Sequence, residues 1–220
     1  SAATDLGSTT IETAAVTPDG EVLGTVRRQN PQRTYGADVL SRIKAASAGK
    51  IAASDMQRLA ESTIQSELAE LSQRYGLRSR PQTLAVAGNT TMGHLLTGDD
   101  VTSLGHAPFD AGDIGLRDIS KVFFDDASRA YLMPGITAFV GGDILSGMYY
   151  LGMDRSPEYS LLIDLGTNGE MAFGNQDGFI AASTAAGPAF EAANISCGCA
   201  GVPGAITAVT FTGHRPHLTQ

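Results

Sequence analysis

Tryptophan is absent from this 220-residue chain, aromatic residues make up 6% of it and charged residues 17%. Positive charge is also scarce: 15 Lys and Arg stand against 23 Asp and Glu, a formal charge of −8. That balance disfavours electrostatic attachment to nucleic acid or to anionic lipid as the main activity. Long hydrophobic runs are missing. Stretches such as 136–140 and 161–163 fall far short of the ~20 apolar residues of a membrane helix, and residues 1–10 carry no charged-then-apolar leader pattern. The chain therefore reads as soluble and cytoplasmic, with neither nucleic acid nor membrane as a partner. Only two cysteines occur, Cys197 and Cys199, which excludes a disulfide framework and any four-thiolate iron–sulfur or zinc site within one chain.

What is present is enough apolar residue, 42% of the chain, to build one large core or two small ones. Glycine is abundant. The 26 glycines amount to about 12% against a usual ~7%, and many stand where turns are expected: Gly7, Gly20, Gly88, Gly141, Gly142, Gly166, Gly169 and Gly178.

Three strands in a meander are expected at 1–6, 11–16 and 21–28, the last two joined by Thr17-Pro18-Asp19-Gly20, in which Pro presets φ and Gly supplies φ > 0. A short helix is expected over 36–48, with Gly49 beyond it. A longer one is expected over 54–75, where Met56, Leu59, Ala60, Ile64, Leu68, Leu71 and Tyr75 recur every three or four residues. Ser54 and Gln57 form a capping-box pattern at its start. A strand at 83–87 leads through Gly88-Asn89-Thr90-Thr91 into a helix ending at Leu96. Residues 97–118, rich in Gly, Asp and Pro, read as an irregular rim; a strand follows at 130–132 and a helix at 143–151.

From Tyr159 the opening pattern recurs. Leu161-Leu162-Ile163 runs into Asp164-Leu165-Gly166-Thr167-Asn168-Gly169, a second strand covers 170–173, Gly174-Asn175-Gln176-Asp177-Gly178 turns, and a third strand covers 179–183. The chain thus repeats a whole supersecondary unit. A strand that ends in an acid and turns at once on glycine puts a carboxylate, backbone N–H groups and hydroxyls on one concave tip. Such tips bind anions, and the carboxylate can hold Mg²⁺ beside them. One Asp-x-Gly is weak evidence; two in matching frames are much stronger. If the units face each other, Asp5 and Asp164 flank one divalent ion while residues 7–10 and 166–169 cradle phosphates.

Asp5-Leu6-Gly7-Ser8-Thr9-Thr10 and Asp164-Leu165-Gly166-Thr167-Asn168-Gly169 resemble the two phosphate motifs of the superfamily of acetate and sugar kinases, heat-shock chaperones and actin. Gly141-Gly142-Asp143 and its helix stand where that superfamily has its connecting helix. A narrower resemblance covers nearly the whole chain. Asn30-Pro31-Gln32-Arg33, Tyr35-Gly36-Ala37-Asp38-Val39, Gly88-Asn89-Thr90-Thr91-Met92, Asp164 to Glu170, and Ser183-Thr184-Ala185-Ala186-Gly187-Pro188-Ala189-Phe190-Glu191 resemble the ATP-binding part of the reductive activators of corrinoid proteins.

The resemblance implies an α/β chain with the ribonuclease-H-like fold of the actin and sugar-kinase ATPases: mixed sheets flanked by helices, in a duplicated unit whose second copy is incomplete. The first unit is expected over 1–157, with an inserted region at about 97–130 and the connecting helix at 143–152, and the start of the second over 158–220. It implies ATP and Mg²⁺ as cofactors, and a two-iron two-sulfur cluster only in an N-terminal ferredoxin-like domain that these residues do not include. The adenosine motif of the superfamily is not found in them either, so the chain is expected to be a fragment that alone binds nucleotide weakly or not at all. The implied activity is ATP-driven reduction of Co(II) to Co(I) on a corrinoid protein of a methyltransferase system, the partner; a homodimer is also allowed. A small-molecule kinase and a nucleotide-gated, actin-like binding module are the alternatives on this fold.

On that reading Asp5 and Asp164 position Mg²⁺, directly or through water. Gly7, Ser8, Thr9, Thr10, Gly166, Thr167, Asn168 and Gly169 contact phosphate, and Asp143 orients or deprotonates the attacking water or simply caps its helix. Glu170 reaches the metal or faces solvent, and Asn89 and Thr90 meet nucleotide or the partner, or only close a turn. Cys197 and Cys199 read as plain thiols, and His94, His106, His214 and His217 lack ligand spacing.

Overall fold

In the computed structural model, residues 1–76, 81–184, 204–206 and 208–219 are described. Three segments form the expected meander: β1 (Ala2–Leu6), β2 (Thr10–Val16) and β3 (Val22–Gln29). The parallel strands β4 (Thr83–Gly88) and β6 (Arg129–Leu132) extend it, and the two-residue β5 (Arg117–Asp118) closes the far edge, giving the order β3-β2-β1-β4-β6-β5. Side chains alternate across these strands. Leu6, Ile11, Ala15, Leu84 and Val86 are buried on one face, while Asp5, Glu12 and Arg27 lie opposite one another in register across β1, β2 and β3.

The buried face is covered by α1 (Val39–Ala48), α2 (Lys50–Arg74) and α3 (Thr90–Thr97). Met56, Ala60, Ile64 and Leu68 of α2 and Met92, Leu95 and Leu96 of α3 join Leu6, Ile11, Leu84 and Val86 in one core. Each buried Leu, Ile or Met contributes roughly 1.5–3 kcal/mol by leaving water. The capping box lies elsewhere than expected. It closes α1, where the Asp38 carboxylate accepts from the Ser41 amide at 2.7 Å and the Asp38 amide donates to the Ser41 hydroxyl at 3.2 Å. Ser54 sits inside α2, its hydroxyl turned back to the Ile51 carbonyl. Lys50, Ala52 and Ala53 are good helix formers, so α2 starts immediately after the extended Gly49, four residues before the expected start at 54.

The repeat forms a second sheet of three antiparallel strands, β7 (Ser160–Leu165), β8 (Gly169–Asn175) and β9 (Gly178–Thr184). Between the two sheets runs α5 (Gly142–Tyr150). Its Ile144 and Met148 pack with Ala172, Leu162 and Phe179 of the second sheet in a separate small core. Its start lies against the first sheet, where a Cβ on Gly141 would stand 2.2 Å from the Gly88 carbonyl oxygen. Only a residue without a side chain allows that approach. Not expected from sequence were the strand β5 within the irregular rim, the short helix α4 (Ser120–Phe123) and the hairpin of β10 (Ala208–Thr212) and β11 (Arg215–Thr219). No helix among the described residues is long and apolar enough to cross a membrane.

Candidate functional site

The two meanders face one cleft of about 1260 Å³. Its walls carry Asp5 from the end of β1 and Asp164 from the end of β7, the loop residues Gly7 to Thr10 and Gly166 to Asn168, and Asp143 from the first turn of α5. All the sequence-expected site residues except Gly169 therefore line one space. Gly169 is buried in β8, paired with Leu165 and Thr184, and stands outside the cleft wall. The two loops touch, the Thr9 and Thr167 hydroxyls lying 2.7 Å apart.

The sheet adds residues that the motifs did not point to. Glu12 and Arg27 share the cleft face with Asp5, and the alternation of β2, with Ile11, Thr13 and Ala15 buried, was the available signal for Glu12. Glu170 also lines the cleft, accepting a 3.5 Å hydrogen bond from the Ser183 hydroxyl. Five carboxylates thus surround the cleft with Arg27, the only basic side chain in its described lining. Arg27 stays close to Glu12, at 3.9 Å, and donates to the Thr10 hydroxyl at 3.4 Å.

This crowding shows in the acidities. Asp5 keeps an opening to water through the cleft mouth, but the protein around it, the charges of Asp143 and Asp164, and that of Glu12 push its carboxyl up to about 6 against the pull of Arg27. Burial, with Asp164 adding to it, raises Asp143, whose Oδ1 accepts the Ile144 amide at 2.8 Å. Glu170 is raised by burial and by the charges of Asp143 and Asp164. Like charges held together in this way are relieved by a cation. Among the described residues no three His, Cys, Asp or Glu side chains converge closely enough to hold a metal ion. An ion at Asp5 and Asp164 would need water and ligand oxygens for the rest of its shell, which suits Mg²⁺ with a phosphate ligand.

The first loop is braced from behind. The Asn30 amide nitrogen Nδ2 donates to the Gly7 carbonyl at 2.8 Å, and the Asn30 backbone N–H donates to the Thr9 carbonyl at 2.9 Å. Arg42 Nη2 donates to the Ser8 carbonyl at 2.6 Å, and Asn89 Nδ2 to the Ser8 hydroxyl at 3.0 Å. Asn30 also caps the short turn Pro31–Thr34 by accepting the Gln32 amide, and Asn89 caps α3 by accepting the Met92 amide. Thr90 bonds the Thr137 carbonyl, which satisfies it as a turn residue. His94 lies outside the cleft. Its Nδ1 meets Asp99 at 3.0 Å and its Nε2 the Ala111 carbonyl at 2.7 Å, tying the irregular rim to α3. Burial works to raise the Asp99 carboxyl, but hydrogen bonds from Arg117, Thr97 and His94 outweigh it and hold the group well below the usual carboxylate range. Cys197 and Cys199 fall outside the described residues.

Comparison with known proteins places this geometry. The family described as the RACo middle region matches residues 1–156, and that described as the C-terminal domain of RACo, the ASKHA domain, matches residues 158–219. The chain belongs to the family of reductive activators of corrinoid proteins. It is 34% identical over 187 residues to the corrinoid activation enzyme RamQ of Eubacterium limosum, covering 82% of this chain and 31% of that one. It is 34% identical over 148 residues to the [Co(II) methylated amine-specific corrinoid protein] reductase of Methanosarcina barkeri, covering 61% and 27%. A solved structure, the reductive activator for corrinoid, iron–sulfur protein, superposes over 99% of this chain and 36% of its own length, with a TM-score of 0.81 and 34% identity. The chain spans about a third of the length of these relatives. As a member of this family it has the mixed α/β, actin- and sugar-kinase-like fold.

Proposed function

We propose that the cleft binds MgATP, and that its closure and hydrolysis of the γ-phosphate drive one-electron reduction of a partner corrinoid from Co(II) to Co(I). The electron would come from a reduced two-iron two-sulfur cluster in a domain outside these residues, while ATP and water give ADP and phosphate. The names of the relatives support a corrinoid protein as the target, and on this reading that protein serves a methyltransferase system. The observation that carries the reading is the pairing of Asp5 and Asp164, each at a strand end beside a glycine-containing loop that bears a hydroxyl, across one cleft whose loops meet at Thr9 and Thr167. On this reading residues 1–157 and 158–220 are the two units that close on the nucleotide.

Asp5 and Asp164 would hold Mg²⁺, which when bound offsets phosphate charge. The amides and hydroxyls of Gly7 to Thr10 and Gly166 to Asn168 bind phosphate oxygens. Asp143, with its proton affinity raised by burial, orients the attacking water and takes up its proton. Calorimetric titration of the complete polypeptide with MgATP tests this. Loss of binding is expected in Asp5→Asn and Asp164→Asn, and retained binding with slowed hydrolysis in Asp143→Asn. Unchanged affinity in both of the first two variants refutes the assignment, and ATP turnover stimulated by a sugar or acid instead of a corrinoid protein would identify a kinase.

A further inference from the structure

Arg42 is fully buried, yet among the described residues no carboxylate lies within ion-pair distance of it. Its guanidinium meets only neutral groups: Nε donates to the Gly36 carbonyl at 3.0 Å, Nη1 to Gln32 Oε1 at 3.5 Å and to Met92 Sδ at 3.2 Å, and Nη2 to the Ser8 carbonyl at 2.6 Å. It also sits in the first turn of α1, where the helix dipole disfavours a cation. Burial lowers its proton affinity to about 10, with Asp38 the only opposing charge. An unpaired buried charge is expensive. Packing alone would be served better by an apolar residue, so the charge calls for an account of its own.

Its position supplies one. The carbonyls of Gly7, Ser8 and Thr9 all point inward, to Asn30 Nδ2, Arg42 Nη2 and the Asn30 N–H. These peptide bonds are trans, and a trans peptide directs its N–H opposite to its C=O. The Ser8 and Thr9 amides therefore point away from Asn30 and Arg42, and both residues line the cleft. Among the described residues no hydrogen bond from the Ser8 or Thr9 amide is found.

We propose that Arg42 is a positioning residue for phosphate: it turns the Ser8 peptide so that the loop amides face the cleft, and it supplies the buried positive charge that a bound phosphate chain neutralises from the other side. This rests on the nucleotide reading above. Arg42 does not touch the ligand. It polarises the Ser8–Thr9 peptide, which strengthens the amide facing the anion.

The test compares wild type with Arg42→Gln, which keeps a donor but loses the charge, and Arg42→Lys, which keeps the charge. Folding is checked by thermal unfolding, and binding of MgATP, tripolyphosphate and adenosine is measured by calorimetry. Losing a charge-assisted hydrogen bond predicts MgATP and tripolyphosphate binding weaker by about tenfold or more in Arg42→Gln. Adenosine binding should be unchanged, and Arg42→Lys should restore most of the loss. Equal affinity of folded Arg42→Gln and wild type for tripolyphosphate overturns the proposal, as does equal weakening for adenosine. If Arg42→Gln does not fold, the nitrogen-15 resonance of Arg42 Nε in wild type carries the test: it should shift when tripolyphosphate binds, and its failure to move overturns the proposal. Wild type that binds neither MgATP nor tripolyphosphate overturns the nucleotide reading, and this inference with it.

Discussion

Replacing Glu67 by Gln should change how stability depends on pH. Glu67 is a fully buried residue of α2. Its Oε2 accepts the Thr13 hydroxyl at 2.7 Å, and Thr13 in turn lies 2.9 Å from the Thr4 hydroxyl. Among the described residues its Oε1 has no hydrogen-bond partner, and Arg28 Nη1 stops 3.9 Å away because that guanidinium pairs with Glu70. Burial raises its carboxyl from the ordinary 4.5 to about 7, against the Thr13 hydrogen bond and the Arg28 charge, with Glu12 and Glu70 adding a little. Below pH 4.5 the group is protonated in both folded and unfolded chains and costs nothing. As pH rises from there to 7 the unfolded chain gives up its proton while the folded one keeps it, so stability falls; above 7 the loss is complete. At ~1.36 kcal/mol per pH unit the shift of 4.5 to about 7 amounts to an upper bound of about 3 kcal/mol. That is a large share of the ~5–15 kcal/mol that holds a domain. An amide at this position keeps the acceptor for Thr13 and carries no charge. Part of that loss has already occurred by pH 5, so urea unfolding at pH 5 and pH 8 should show the Glu67→Gln variant gaining on wild type as pH rises, by up to about 1.2 M in midpoint for a slope of ~2 kcal/mol/M. A difference between the two proteins that stays constant over this range would show that Glu67 does not keep its proton in the fold.

The remaining predictions concern the cleft. Gly141→Ala puts a Cβ into the Gly88–Asn89 backbone; the forced shift of α5 should cost about 1–3 kcal/mol in urea unfolding and displace Asp143 from the cleft. Asn30→Ala removes the side-chain donor to Gly7 and the acceptor for Gln32, and should cost about 1–3 kcal/mol of stability and weaken MgATP binding more than Thr34→Ala, an exposed control. The Thr9–Thr167 contact joins the two loops, so Thr9→Val and Thr167→Val should be non-additive in a double-mutant cycle of stability, by about 0.5 kcal/mol or more; additive effects would show that the hydroxyls act independently.

Most strands and helices, those of the two meanders among them, and the doubling of the site are legible in the local sequence. Alternating apolar residues, Pro-Asp-Gly and Asp-Gly turns, and the three-and-four spacing from Met56 to Leu71 are local signals that strands and helices obey directly. The recurrence of Asp-Leu-Gly with a hydroxyl residue placed two acids at two strand ends. A local signal can be ambiguous: Ser54 and Gln57 have the spacing of a cap but lie inside α2, which begins at Lys50. That Asp5, Asp143 and Asp164 share one cleft comes from packing, since they lie on separate elements and meet only when α5 packs both sheets. The tertiary structure also decided that Gly169 does not share it, and that Glu12 and Arg27 do. Sequence spacing says nothing about which strand lies beside which, and register across β1, β2 and β3 put those two side chains next to Asp5. The buried charge of Arg42 was invisible for the same reason. Its helix position looks ordinary in sequence, and only the packing of α1 behind residues 7–10 turns it into a charge behind the loop.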